Sequence, residues 1–379
     1  MKIAIVCGHF VPTMGYIEVH LANAYQRLGH ELTVITSDAS SSTGKYLTTR
    51  KEEETSEYNI IRLKSWFSAG QIVLSKGIAK EIQRLDPDKV IVVGLGKVFP
   101  KEVFNIKNRA FELITLLGDN ETNHYRSSKN LKRIFLQTFF KTPVYELAIK
   151  KSDRLVGYTP STEETVKSFI KPKLKEVLSE KYSVTSLGFD SAEFNCNESE
   201  RSRIREKLGI EKDELVVITA TRITSAKKIE NVIDAMATLV SRGYKFKYVL
   251  IGFTEHKYSQ ELKEYITSKE LNDAVITLPF ISRSETNDYY NMADIGLWTR
   301  AAISMFEGLA TGLFVMLPAQ KNVSHILDGN KGVYFTLESL QEDLEESIKN
   351  YDSSAKKTIA GIAKSKFSID AIAQNLIAN

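Results

Sequence analysis

Residues 214–235 read ELVVITATRITSAKKIENVIDA, and they set the architecture of the chain. The run Leu215 to Ile218 is apolar without polar alternation, as expected for a strand buried on both faces of a parallel sheet. Arg222 closes that strand. A helical pattern then runs from Ile229 to Ser241, so the stretch is one strand-turn-helix unit. Downstream the alternation repeats. Strands KYVLIG, AVITLPF and DIGLW alternate with helical patterns at Gln260–Lys269, Ser284–Met292 and Met305–Thr311, and a helix at Arg201–Leu208 precedes the series. Upstream, KIAIVCG is a second β-start. It is followed by a helix carrying Ile17, Leu21, Ala24, Tyr25 and Leu28, a stop at Gly29, and the strand ELTVITSD. Further strands are expected at 60–63, 89–94, 113–117 and 154–158, with helices at 75–85, 131–150 and 162–169. Two alternating series predict two doubly wound α/β domains. The polar segment SAEFNCNESERS reads as the linker near 190–200.

Length agrees, since 379 residues exceed the ~250 to 300 that one core usually covers. Hydrophobic residues at 42% against 26% charged exclude wholesale disorder and a membrane bundle. The best apolar stretch, Gly308 to Gln320, is too short to span a bilayer and contains glycines. The opening apolar run is too short for a signal peptide, and Cys7 and Cys196 suggest neither a disulfide framework nor a zinc site, so a cytoplasmic compartment is expected. Net charge is +4, too small to imply nucleic acid, but it is uneven: 28 Lys+Arg face 21 Asp+Glu up to Asp190, net +7. Much of that excess lies in 125–155, where Lys129, Lys132 and Arg133 are interleaved with Ile134, Phe135, Leu136, Phe139 and Phe140. Such a helix either lays its aromatics against an anionic membrane surface or buries them in the core.

Generic motifs fail. GHFVPTMG after the first strand is not GxGxxG, SSSTGKY lacks the Walker pattern, and HExxH, paired CxxC and GxSxG are absent. What remains is Arg222 at a strand's carboxyl end with Lys227 five residues later at a helix start. Open α/β sheets bind ligands there, and two cations with backbone amides suit a diphosphate; a solvated basic patch is the competing reading. A second segment, NMADIGLWTRAAISMFEGLATGLFVMLP, ends a buried strand in Thr299 and Arg300. It then opens a helix near Ser304 with Glu307 in its first turn, where a carboxylate also complements the helix dipole. Gly308, Gly312 and Ala310 suggest backbone packed closely against a neighbour.

These residues carry a resemblance to the family 4 retaining glycosyltransferases of the GT-B fold. MGYIEVHLANAYQRLGHELTVITSD, KSDRLVGYTPST, SLGFDSAEF, TRITSAKKIENVIDA and YYNMADIGLW are similar to five family motifs in the family's order. The fold implied is α/β, GT-B: two doubly wound Rossmann-like domains facing a central cleft. An acceptor-binding domain is expected at 1–190 and a nucleotide-sugar-binding domain at 191–365. The closing helix at 366–379 is free to cross back to the first domain. By position, Arg222 and Lys227 fall on the pair that clamps the donor diphosphate, and Glu307 on the carboxylate that holds the ribose. Gly15 and Tyr16 fall on the phosphate-approaching loop, with Tyr16 in place of its second glycine, and Ser304 and Met305 on the donor-binding helix start. Glu18 and Asn120 are acceptor candidates, and Asp119 is a catalytic candidate where the family carries a histidine. Thr299 stands where the family has the first glutamate of E-x7-E, which leaves the usual contact to the donor sugar missing or made differently.

The function implied is transfer of a sugar, with retention, from a nucleoside diphosphate donor to a hydroxyl on a glycan, lipid or protein, in surface-glycan or glycoconjugate assembly. No cofactor or metal is implied. The enzyme would be cytoplasmic, or peripheral at the inner membrane face if 125–155 docks there. Two alternatives stay open: a degenerate GT-B module that binds a sugar nucleotide or a partner without turnover, and a sugar-nucleotide epimerase or hydrolase on the same fold.

Overall fold

Burial on both faces of consecutive apolar strands is what builds this protein. In the computed structural model, residues 1–13, 15–39, 57–69, 72–118, 137–327 and 332–378 are described. They form two units, Met1–Leu187 with Ile372–Asn379, and Gly188–Ala371.

The first unit contains β1 (Lys2–Cys7), β2 (Glu31–Ser37), β3 (Asn59–Leu63), β4 (Ser65–Ala69), β5 (Ile72–Ser75), β6 (Lys89–Val93), β7 (Glu112–Leu117), β8 (Arg154–Gly157) and β9 (Tyr182–Val184). Seven of these strands form one sheet, in the order β3-β2-β1-β6-β7-β8-β9, all parallel. Ile5 sits between Val34 and Ile91 at its centre and is fully buried. Helix Ile17–Arg27 returns the chain from β1 to β2 with Val19, Leu21, Ala22, Ala24 and Tyr25 inward. The pair β4-β5 is a separate antiparallel hairpin that the sequence pattern did not announce. Its strands are too short and too irregular to show a period.

The second unit contains β10 (Leu215–Ala220), β11 (Phe246–Phe253), β12 (Val275–Pro279), β13 (Ile295–Leu297), β14 (Phe314–Pro318) and β15 (Gly332–Phe335), parallel in the order β12-β11-β10-β13-β14-β15. Chain order reverses between β10 and β13, which is the crevice where open sheets bind ligands. Tyr248, Thr219 and the Leu297 carbonyl form a buried hydrogen-bond chain across β11, β10 and β13 that holds those strands in register. The expected doubly wound α/β class is therefore what the chain forms, twice.

Several expectations change. The polar segment after 190 is bound within the second unit. Asn195 and Asn197 amides donate to the side chains of Asn287 and Asn291, Phe194 is buried, and Asn197 caps helix Glu198–Leu208. The helix expected at 131–150 is, where described, a π-helical turn at Gln137–Lys141 followed by helix Thr142–Lys151. That helix buries Val144, Tyr145, Ala148 and Ile149, so it is a core helix. The closing helix Ile369–Ile377 passes from one unit to the other, and Arg154 in the first unit donates to the carbonyls of Leu376 and Ala378. The expectation of a metal-free reaction rests partly on there being no Asp-x-Asp motif in the chain, and one occurs, Asp86-Pro87-Asp88. It lies at the amino end of β6, where Asp88 accepts the Lys2 amide, away from the ligand-binding edge.

Candidate active site

The site assembles at the carboxyl edge of the second sheet. β10 ends at Ala220, and a turn through Arg222 and the 3-10 segment Ser225–Lys227 leads to helix Ile229–Ser241. Arg222 is exposed, Lys227 half-buried, and neither side chain has a protein partner among the described residues. Burial pushes the Lys227 ammonium below the usual lysine value, and the like charge of Arg300 pushes it further. An anion placed there would relieve both cations.

Lys228 follows with φ 46°, left-handed backbone that costs a non-glycine residue roughly 1 kcal/mol. This is the position where the resembled motif has glycine. The turn is pinned from β13: the Thr299 hydroxyl donates to the Lys227 carbonyl, and Arg300 donates to the Ala226 carbonyl at 3.4 Å. Thr299 is only 7% exposed, so its hydroxyl holds the cation-bearing turn in place. A cavity of about 370 Å³ opens beside it, lined by Lys228, Arg300, Gln320, Thr336 and Glu338 among others.

Helix Ser304–Ala310 brings the carboxylate. Trp298 donates its indole N–H toward Ser304 Oγ at 3.0 Å and the Ala220 carbonyl at 3.3 Å, while Ser304 Oγ donates to that same carbonyl at 3.0 Å. The end of β10 is thereby tied to the start of the helix. A Cβ on Gly308 would come within 2.7 Å of the Trp298 ring, and one on Gly312 within 2.3 Å of the Lys356 carbonyl. These are the neighbours the glycines were expected to approach. Glu307 is 7% exposed and pairs with Arg283 at 3.2 Å. Burial pushes its pKa up; Arg283 pulls it back only in part, and Glu193 adds to the rise. Arg283 also pairs with Glu193 at 2.5 Å and stacks over Phe194, so it is held in place from both sides.

Arg222, Lys227, Thr299, Ser304 and Glu307 thus share one edge of the second unit. Ser304 donates its hydroxyl to the end of β10, and Met305 is buried. Gly15 and Tyr16 lie in the first unit, exposed, where Tyr16 begins helix Ile17–Arg27 and Glu18 occupies its first turn. Asp119 and Asn120 lie outside the described residues. Arg283, Arg300 and Trp298 were not singled out as site residues from the sequence. Arg283 carried no signal there, because its partner is 24 positions away on another helix.

Residues 200–362, most of the second unit, match the family described as glycosyl transferases group 1. The second unit is thus similar to the group 1 glycosyl transferases. The whole chain has the GT-B fold: it superposes on HepE of Anabaena, solved with UDP, at TM-score 0.72 and 18% identity, covering 99% of this chain and 98% of that one. Among named relatives, the alpha-monoglucosyldiacylglycerol synthase of Acholeplasma laidlawii is 22% identical over 354 residues, covering 88% of this chain and 85% of that protein. The enzyme of the same name from Streptococcus pneumoniae (strain ATCC BAA-255 / R6) is 28% identical over 151 residues. That match spans 38% of this chain and about a third, 34%, of the pneumococcal protein. The resemblance drawn from the motifs and the sugar-transfer reading therefore hold.

Proposed function

We propose that this glycosyltransferase moves a sugar, with retention and without a metal ion, from a UDP-sugar to a hydroxyl carried by a lipid. The observation that carries the reading is the pair of cations, Arg222 and Lys227, that have no side-chain partner among the described residues, at the switch point of the second sheet, with a buried carboxylate, Glu307, on the adjoining helix. UDP is favoured because HepE binds UDP and UDP-glucose on the same fold, and a lipid acceptor because both named relatives are glycolipid synthases.

Arg222 and Lys227 would meet the charge that grows on the departing diphosphate. Glu307 would accept from the ribose hydroxyls, and the cavity beside Thr299 gives Arg300, Gln320 and Glu338 as partners for the sugar in place of the missing glutamate. The acceptor oxygen attacks C1 on the face from which the diphosphate leaves; the C1–O bond to phosphate breaks, and a phosphate oxygen takes the hydroxyl proton. No protein nucleophile is needed.

The test is UDP release from UDP-glucose and other UDP-sugars with diacylglycerol-type acceptors, with EDTA and without. Arg222→Ala and Lys227→Ala are each expected to lower turnover by about 10²-fold or more, and EDTA is expected to leave it unchanged. Full activity in both folded variants overturns the diphosphate assignment; EDTA inhibition reversed only by Mg²⁺ or Mn²⁺ overturns the metal-free reading. Nucleotide binding without turnover on any donor and acceptor would instead favour the degenerate module.

A further inference from the structure

The first unit displays large aromatic side chains where its sheet has no need of them. In the β4-β5 hairpin, one strand is an anchor: Ile72 and Val73 of β5 are buried in the core. The other strand is a display. Trp66 is 64% exposed and Phe67 44% exposed. The pairing register shifts between Ser65 and Phe67, which places a bulge at Trp66, and bulges re-aim side chains that would otherwise alternate. The two rings accordingly lie side by side, centroids 6.4 Å apart.

The display extends sideways. The turn Leu95–Lys97 touches β5 on one side and the π-helical turn Gln137–Lys141 on the other, and Phe139 and Phe140 of that turn are 64% and 39% exposed. Lysines rim this surface. Lys64 and Lys76 bracket the hairpin and are exposed, and Lys141 closes the π-helical turn. Two carboxylates beside the strand pair are turned to the backbone: Asp38 accepts the Ser65 amide, and Glu102 accepts the amides of Gly77 and Ile78. An apolar centre of Trp and Phe with a cationic rim matches the headgroup boundary of an anionic bilayer, where indole rings reside and lysines meet lipid phosphates.

We infer that the strand pair β4 and β5, with Phe139 and Phe140, docks this protein on an anionic lipid surface. The sugar-transfer reading supplies its purpose, since a lipid-borne hydroxyl is presented at a bilayer, but the docking is measured without turnover. Only Trp66 and Trp298 can fluoresce as tryptophan, and Trp298 is 1% exposed, so bilayer quenching reports Trp66.

Vesicles of phosphatidylglycerol, alone or with brominated acyl chains, are titrated with the full chain at low and high salt, against phosphatidylcholine vesicles. Expected are binding to the anionic vesicles that weakens with salt, a blue-shifted Trp66 emission and quenching by the brominated chains. Trp66→Ser with Phe67→Ser is expected to weaken binding by about tenfold or more, while Phe139→Ser with Phe140→Ser weakens it independently and UDP binding stays unchanged in both. Binding that survives both double variants, or anionic vesicles that leave Trp66 unquenched at low salt, overturns the inference. A self-associated chain in solution that Trp66→Ser with Phe67→Ser makes monomeric, without vesicle binding in the parent, assigns the surface to a second copy and also overturns it. Vesicle binding with no sugar transfer on any donor would sink the sugar-transfer reading and leave the docking intact.

Discussion

At single residues, the candidate site is a set of charges that wait on one another. Lys227 is held below its ordinary pKa by burial and by Arg300, and Glu307 above its own chiefly by burial. Nucleotide binding by both groups requires Lys227 protonated and Glu307 ionised. Affinity for UDP should therefore fall as pH drops through the raised Glu307 pKa, and fall again as pH rises through the lowered Lys227 pKa. Calorimetry across that range should show both limbs, and Glu307→Gln should lower the affinity at neutral pH and remove the acidic limb. An acidic limb that persists in Glu307→Gln returns Glu307 to a structural ion pair with Arg283. The positions of Arg222, Lys227 and Glu307 were legible from spacing because a strand end and a helix start define them locally. Thr299 was legible only as a departure. Its bond to a carbonyl 72 positions away has no signature in the residues around it.

Between elements, Trp298 is the joint of the second unit. Its indole links the end of β10 to the start of helix Ser304–Ala310, and its ring packs closely against Gly296 and Gly308. An added methyl at Gly308 meets a rigid ring, which cannot retreat as a flexible side-chain end would. Gly308→Ala is expected to destabilise the second unit by about 1 to 3 kcal/mol, the usual cost of overpacking, and to weaken UDP binding by tilting the helix that carries Glu307. Denaturant unfolding with near-ultraviolet circular dichroism checks the first effect and calorimetry the second. Unchanged stability would mean that the joint is looser than its contacts imply. The β4-β5 hairpin shows the reverse case: its anchor and display strands differ in burial, yet neither is long enough for that difference to appear as a pattern in sequence.

For the folded chain as a unit, the base of the second sheet is a buried polar cluster. Asp294 takes Arg201 and Arg205 at 2.7 Å each and the Val216 amide at 2.8 Å, while Lys356 donates to the carbonyls of Asn291 and Ala293. Burial and Arg201 bring the Lys356 pKa down from 10.5 to about 8. Its folded pKa is below its unfolded one, so between those values the unfolded chain holds the extra proton. This group's contribution to stability therefore rises with pH across that window and is lost as pH falls back toward 8. Lys356→Met should flatten that part of the stability profile, measured as wild type minus variant by urea unfolding at pH 7.5 to 10. A parallel pair of profiles would show that Lys356 keeps its proton.

The division between the two levels has a physical origin. Apolar runs and helical spacing act over a few residues, so the strands β1, β2, β10, β11 and β13, the helices between them and the doubly wound class could be read directly from the residues. Motif spacing did the same for the cations and the carboxylate. Long-range packing settled the rest. It joined the polar segment after 190 to helix Arg283–Met292, made Thr142–Lys151 a core helix, gave Glu307 an arginine partner and set four aromatic rings on the surface of the first unit. Each of those outcomes depends on which distant side chain fills the neighbouring space, and no local period encodes that.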